Sequence, residues 1–268
     1  MADAGGSFDF KDSKQILDIL LSPIAHTRKP IWPRPYAEDS PEALVRFLTE
    51  RCITWDDETK AESVIPNLPH VSCIAYNWWR TRKEGTPLVI EKSRRLIVSW
   101  LLRGCELWSM GLSKETRCLA GLTYPKAAEH VWRIAFMYRK MLERFPEHKL
   151  LPCEVRGGNF LAMQTETVIL PNGSICFGLN QAKDTFQGSG YSGITMEELS
   201  LFDSPTAFFG QARTITKGRA DAVGGHVVAV TNASPSEDWR SLKELDFVVY
   251  NNDPSWRPEP RREQPSGA

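Results

Sequence analysis

The sequence predicts an α/β architecture: a mostly parallel sheet flanked by helices, preceded by a helical N-terminal lead-in. Three observations predict it. From Pro87 onward, short apolar runs alternate with stretches of helical periodicity, the pattern of repeated βα units. The helical stretches carry apolar residues at spacings of three and four, so each offers one face to a sheet. The 268 residues, 41% hydrophobic and 25% charged, also suffice for a substantial buried core and fit neither wholesale disorder nor a fibrous repeat.

Residues 1–65 read as an accessory region that is helical in places. Ser13 to Leu21 and Ser40 to Arg51 have helical patterning, and the proline-rich connector Lys29 to Tyr36 separates them. Residues 66–253 form the α/β domain, entered through a helix around Tyr76-Asn77-Trp78-Trp79-Arg80. Its two tryptophans either pack that helix on the sheet, the reading we prefer, or stack on a ligand ring. Pro87 to Glu91 reads as the first strand. Beyond it Val98, Leu101, Leu102, Cys105, Trp108 and Leu112 share a helix face through the Gly111 stop.

Cys118 to Thr123 reads as the next strand, and Pro125 stands in the first turn of a helix whose Val131, Ile134, Tyr138, Met141 and Phe145 align. Thr165 to Leu170 and Ser174 to Phe177 flank Pro171-Asn172-Gly173, and an Asn-Gly pair supplies the positive φ angles of a tight hairpin turn. Ser192 to Met196 and His226 to Thr231 are further strands, and Ser236 caps a helix through Leu242. Residues 254–268, with prolines and arginines among few apolar groups, read as a disordered tail.

Charge and cysteine usage narrow the function classes. Thirty-three basic residues balance thirty-three acidic ones, so no global field draws the chain onto nucleic acid, and any such contact must be local. The most apolar run, Leu96 to Leu102, is far short of the ~20 residues of a membrane span. Met1 to Lys14 lacks the apolar middle of a secretory signal, so a cytoplasmic location is expected. Cys52, Cys73, Cys105, Cys118, Cys153 and Cys176 show no C-x-x-C pairing and read as reduced structural thiols. The five histidines show no metal-ligand spacing.

Three segments carry candidate chemistry. The first, Val89 through Trp100, is a strand-to-helix junction containing Lys92-Ser93-Arg94-Arg95 and then Ser99. At such junctions the helix N-terminus and a lysine bind phosphate, while a hydroxyl holds Mg²⁺. The pattern G-x-x-x-x-G-K-[ST] itself is not met: the loop has no glycine, and Val98 stands where the lysine would be. A basic turn on an ordinary βα unit is the competing reading. The second segment, Ser192 to Glu198, ends a strand in Glu197-Glu198, adjacent carboxylates that point apart and so suit two roles, metal ligation and polarisation of a water. A solvated turn is its plainer reading. The third, Val227 to Pro235, ends a buried strand in Thr231-Asn232, able to hydrogen-bond both a phosphate and a neighbouring segment, or simply to lead into a helix.

In this order, the three segments follow the plan of a RecA-like P-loop NTPase core. Lys92-Ser93-Arg94-Arg95-Leu96-Ile97-Val98-Ser99 resembles the deviant phosphate loop of the large terminase subunits of tailed bacteriophages, in which the lysine moves to the start of the loop. Thr54-Trp55-Asp56-Asp57-Glu58 and Ile65-Pro66-Asn67-Leu68-Pro69-His70 resemble that family's run-in to the loop. Thr185-Phe186-Gln187-Gly188 resembles the turn before its acidic motif. The resemblance spans Ile53 to Trp239, with Ile97 where relatives often have glycine and Glu197 in place of the more usual aspartate.

The resemblance implies ATP and Mg²⁺ as ligands. Lys92 would contact the β/γ-phosphates, with Ser93, Arg95, Thr231 and Asn232 also lining the nucleotide. Ser99 and Glu197 would hold Mg²⁺, Glu198 would be the catalytic carboxylate, and Arg94 or Arg95 the cis-acting arginine. Thr231 and Asn232 would form the coupling motif. It further implies ATP-driven packaging of double-stranded DNA into a procapsid, in a homo-oligomeric ring on the portal protein in the host cytoplasm, with the small terminase subunit as partner. A large terminase also carries a nuclease domain. The stretch after Thr231 lacks the strands to assemble one, so no nuclease activity is expected from these residues. Two other readings stand beside this one: a different RecA-like motor, such as a helicase fragment, and a catalytically silent module that binds a portal or a separate nuclease subunit.

Overall fold

The apolar runs of the sequence become the middle of one sheet. The computed structural model describes residues 30–56, 59–92, 97–157, 167–181, 190–217, 226–232 and 248–250. After helix α1 (Pro41–Arg51) come strands β1 (Ile53–Asp56) and β2 (Ala61–Val64), helix α2 (Pro69–Glu84) and strand β3 (Leu88–Lys92). Then follow α3 (Val98–Leu112), β4 (Thr116–Gly121), α4 (Tyr124–Arg144), β5 (Glu154–Arg156), β6 (Thr167–Ile169) and β7 (Ile175–Asn180). The described chain closes with β8 (Gly193–Glu197), α5 (Pro205–Lys217), β9 (His226–Asn232) and β10 (Val248–Tyr250).

Eight strands form one sheet in the order β10-β3-β9-β8-β4-β7-β6-β5. From β10 to β7 every pairing is parallel, and only the β7-β6 and β6-β5 pairings are antiparallel. The α/β fold class read from the sequence is the observed one. Its central strands are mostly apolar along their middles because both faces are covered, as parallel sheets require, and carry polar residues chiefly at their ends. Val89, Cys118, Ile194 and Val227 join one buried cluster, while Leu88, Ile90, Leu119 and Val228 join the other, so alternate side chains feed opposite faces.

The helices start where local chemistry starts them. Ser40 accepts a hydrogen bond from the Ala43 N–H at 3.2 Å, with Pro41 in the first turn of α1. Helix α3 is almost wholly buried, from Val98 and Leu101 to Met110. It leaves β3 and delivers the chain to β4, which lies three places away, with β9 and β8 between. Helix α4 sits very close to β4: a Cβ on Gly121 would lie 2.7 Å from the Ala127 backbone nitrogen, so only glycine permits the approach.

Several expectations are adjusted. The predicted strand ends move by one to three residues, which brings Lys92, Glu197 and Asn232 inside β3, β8 and β9. The lead-in carries α1 but also the antiparallel ribbon β1-β2, and its Trp32, Tyr36, Leu44 and Phe47 lie in the same buried cluster as Trp78, Leu101 and Val230. In the β6-β7 hairpin only Gly173 has positive φ, at 78°. Asn172 acts through its side chain, accepting from the Ser174 N–H at 3.1 Å and donating to the Met110 carbonyl at 2.6 Å. All six cysteines are free thiols. No helix among the described residues is long and apolar enough to cross a membrane. Ser13 to Leu21, Thr185 to Gly188, Ser236 to Leu242 and residues 254–268 lie outside the described residues.

Candidate functional site

In a parallel sheet all strands end on one edge, and a crevice opens where successive connections leave in different directions. Here the α3 connection strides over β9 and β8, so the ends of β3, β9 and β8 and the first turn of α3 meet at one place. Lys92 closes β3 and stands opposite Asn232 of β9 in the parallel register; Glu91 stands opposite Thr231. Glu197 closes β8, opposite Val230.

Ser99 lies in the first turn of α3, and its hydroxyl donates to Glu197 Oε2 at 3.3 Å. Ile97, the residue before α3, gives the helix no side-chain cap, and the first turn holds no acidic residue. The N–H groups and positive dipole end of α3 therefore lie at the crevice with neither a side-chain cap from Ile97 nor a first-turn acid to satisfy them. With the half-buried Lys92 beside them, they form a setting for phosphate.

Glu197 and Glu198 are separated as the sequence predicts, by a device it did not disclose. Glu197 is only 4% exposed. Glu198 adopts the left-handed conformation (φ 57°, ψ 37°), so the chain turns sharply at the second carboxylate, which is half-buried. Just beyond this turn the Ser200 and Thr231 hydroxyls share a hydrogen bond, which ties the end of β9 to the segment following the acids. Lys92, Ser99, Glu197, Glu198, Thr231 and Asn232 thus gather at one sheet edge. Ser93, Arg94 and Arg95 lie outside the described residues.

Sequence reasoning passed over the layer beneath this edge. Arg103 and Glu106 are fully buried on the face of α3 that carries Ser99, joined by an Nε–Oε2 ion pair at 2.6 Å. Glu106 accepts from the Thr195 hydroxyl, and Arg103 Nη2 lies 3.7 Å from Glu197 Oε1. The available signal was the polar spacing Ser99, Arg103, Glu106 on an otherwise apolar helix. His130 of α4 was also passed over. Burial holds its imidazole well below the usual range, and the nearby charges of Arg103, Arg133, Lys126 and Lys92 push the same way. Trp78, by contrast, is wholly buried with its ring edge-on to His226 at 5.1 Å, so it is a packing residue.

The donor set suits a phosphate-bound Mg²⁺, which takes oxygen ligands at few protein positions and completes its shell with water and phosphate. The Ser99 hydroxyl and the Glu197 carboxylate offer oxygens of this kind, 3.3 Å apart. Asn232 Oδ1 is buried without a hydrogen-bond partner among the described residues, as an acceptor awaiting a ligand would be, whereas Glu197 Oε1 accepts no hydrogen bond but lies 3.7 Å from the Arg103 guanidinium. No cluster of His, Cys, Asp and Glu able to hold a metal on its own occurs among the described residues.

No family model and no curated protein matches the chain. Among solved structures it is similar to the HK97 bacteriophage large terminase, at 16% identity and TM-score 0.56, over 78% of this chain and 43% of that one. The chain thus spans less than half the length of that protein, and at this identity the likeness establishes a shared fold. It also aligns with the ATPase domain of the Thermus phage P74-26 large terminase, at 15% identity and TM-score 0.43, over 57% of this chain and 63% of that one. A third alignment is with a large terminase from a thermophilic bacteriophage in complex with ATP-γ-S, at 16% identity and TM-score 0.42, over 65% of this chain and 41% of that one.

Proposed function

We propose that the chain is the ATP-hydrolysing motor module of a phage-type large terminase. The observation that carries this reading is the convergence of Lys92, Ser99, Glu197, Glu198, Thr231 and Asn232 at the carboxyl edge of a parallel sheet. The HK97 large-terminase fold supports it. Lys92 and the N-terminus of α3 neutralise the phosphates of ATP, while Ser99 and Glu197 hold Mg²⁺. When bound, the metal screens the charge that develops on the transferred phosphoryl group. Glu198 orients the attacking water and takes up its proton. Thr231 and Asn232 face the same phosphate, and the bond from Thr231 to Ser200 passes their position to the segment behind Glu198.

In this reading double-stranded DNA is the cargo. The portal protein and small terminase subunit are partners, and the working form is a ring in the host cytoplasm, where a neutral subunit contributes a local DNA-contacting patch. The decisive experiment titrates a labelled ATP analogue into wild type and Lys92→Ala. Tight binding to wild type and at least ~10-fold weaker binding to the variant is expected, because a charge-assisted contact to phosphate is lost. Equal binding to both, or binding to neither, would remove the proposed phosphate site.

A further inference from the structure

The seam between α3 and β8 contains one more residue aimed at the site. Along α3, Ser99, Arg103 and Glu106 fall on one face; along β8, Thr195 and Glu197 point to the same side of the sheet. The two rows interlock in an order set by their chemistry. The Ser99 hydroxyl donates to Glu197 Oε2 at 3.3 Å. Arg103 Nη2 lies 3.2 Å from Glu106 Oε1 and 3.7 Å from Glu197 Oε1, and the Thr195 hydroxyl donates to that same Glu106 oxygen.

We propose that Arg103 is a positioning residue for Glu197: held in place by Glu106 and Thr195, its guanidinium attracts the Oε1 side of the carboxylate by charge, at 3.7 Å and without a hydrogen bond, and so keeps Oε2 at the Ser99 hydroxyl, where Mg²⁺ is held. This rests on the reading of Ser99 and Glu197 as the metal pair. Arg103 is 0% exposed, so it is unavailable to nucleotide, DNA or a neighbouring subunit and acts only through the carboxylate above it. A buried guanidinium is costly unless matched by an opposite charge, and Glu106 supplies that charge, with one hydrogen bond to Arg103 Nη2. The planar fork reaches both carboxylates at once, which an ammonium does not do. Partners behind a metal ligand typically change metal affinity 10–100-fold when removed.

Removing Arg103 alone would mix two effects, because a lost positive charge favours a cation at Glu197 while a lost brace disfavours it. The double variant Arg103→Gln/Glu106→Gln removes one charge of each sign and leaves two amides able to pair, which isolates positioning from charge. Its binding of ATP-γ-S is measured by calorimetry in EDTA and across a Mg²⁺ titration, beside thermal melts. The expected result is a melt close to wild type, EDTA binding within about 2-fold, and a Mg²⁺ half-point raised at least ~10-fold. Thr195→Val keeps both charges and removes only the far hydrogen bond, so a smaller shift of the same half-point, about 2–4-fold, is expected and remains readable if the double variant does not fold. An unchanged Mg²⁺ half-point in a folded double variant, or in Thr195→Val when the double variant does not fold, overturns the role of Arg103 while leaving the function intact. Wild type that fails to bind ATP-γ-S, or binds it without response to Mg²⁺, overturns the metal-site reading itself.

Discussion

Glu198 is asked to be two things at once. Its left-handed backbone (φ 57°, ψ 37°) costs a residue with a Cβ about 1–2 kcal/mol relative to glycine, yet its carboxylate is the proposed water-orienting group. Strain maintained at a site where a smaller residue would remove it points to a side chain that is used. Glu198→Gly is therefore expected to stabilise the fold by about 1 kcal/mol while lowering ATP turnover at least ~100-fold, measured by urea unfolding and phosphate release. Glu198→Gln keeps the strain and should keep nucleotide affinity, but it should lose turnover to the same degree. Unchanged turnover in either variant would show that another group handles the water. A stability loss on Glu198→Gly would show that the side chain is held for packing instead.

At the scale of elements, close contact between helix and sheet decides where the crevice lies. The first turn of α4 rests on β4 at Gly121, where an added Cβ would meet the Ala127 backbone nitrogen at 2.7 Å and the Lys126 carbonyl carbon at 3.2 Å. Backbone atoms cannot rotate away, so Gly121→Ala must push α4 outward, with an expected cost of about 1–3 kcal/mol in urea unfolding. Because α4 also carries His130, which lies within reach of the Lys92 charge, ATP-analogue affinity should fall with it. A variant as stable as wild type would mean that α4 yields without strain. The elements legible in the sequence are those buried on both faces: β3, β4, β8 and β9 announce themselves as apolar runs, and α3 and α4 as periodic stripes. The ribbon β1-β2 and the edge strands β5 and β10 were not legible, because each is only three or four residues long, and Ala61–Val64 and Glu154–Arg156 are exposed or half-buried with no apolar run to mark them. Strand-end chemistry was legible for the same reason as the strands. The Arg103–Glu106 pair was not, because its meaning depends on β8 lying under α3, and strand order is absent from local sequence.

The whole molecule has two polar layers, one at each end of the parallel sheet, and the second sets its response to acid. At the strand starts, Arg117 of β4, Gly193 of β8 and His226 of β9 are neighbours in register. Glu115 there accepts from Arg82 at 3.3 Å and from Arg117 at 2.6 Å, and although burial opposes ionisation, these cations hold its carboxyl below the usual range. Arg82 also pairs with Asp39 at 3.2 Å, so two guanidiniums and two carboxylates interlock in this layer. His226 sits within it, wholly buried, 2.9 Å from the Thr81 hydroxyl. Burial above all, reinforced by Arg117 and Arg82, keeps its imidazole well below the ordinary range, as burial and positive charge keep His130 at the other end. Both rings are thus neutral in the folded chain at pH values where the unfolded chain takes up protons. Their contribution to stability is complete above the unfolded value of about 6.5 and is lost as pH falls below it towards the folded values, at up to about 1.4 kcal/mol per pH unit for each ring. Glu115 adds to acid loss only below its unfolded value of about 4.3. Glu106, raised by burial, works in the opposite direction, because it takes up its proton in the folded state first. Urea unfolding at pH 7.5, 6.5 and 5.5 should therefore show stability declining below pH 6.5. His226→Gln should flatten the decline, even though losing the Thr81 contact lowers the starting value. A slope unchanged in His226→Gln would mean that the ring takes up its proton without unfolding, so that the buried polar layer around it had opened to water.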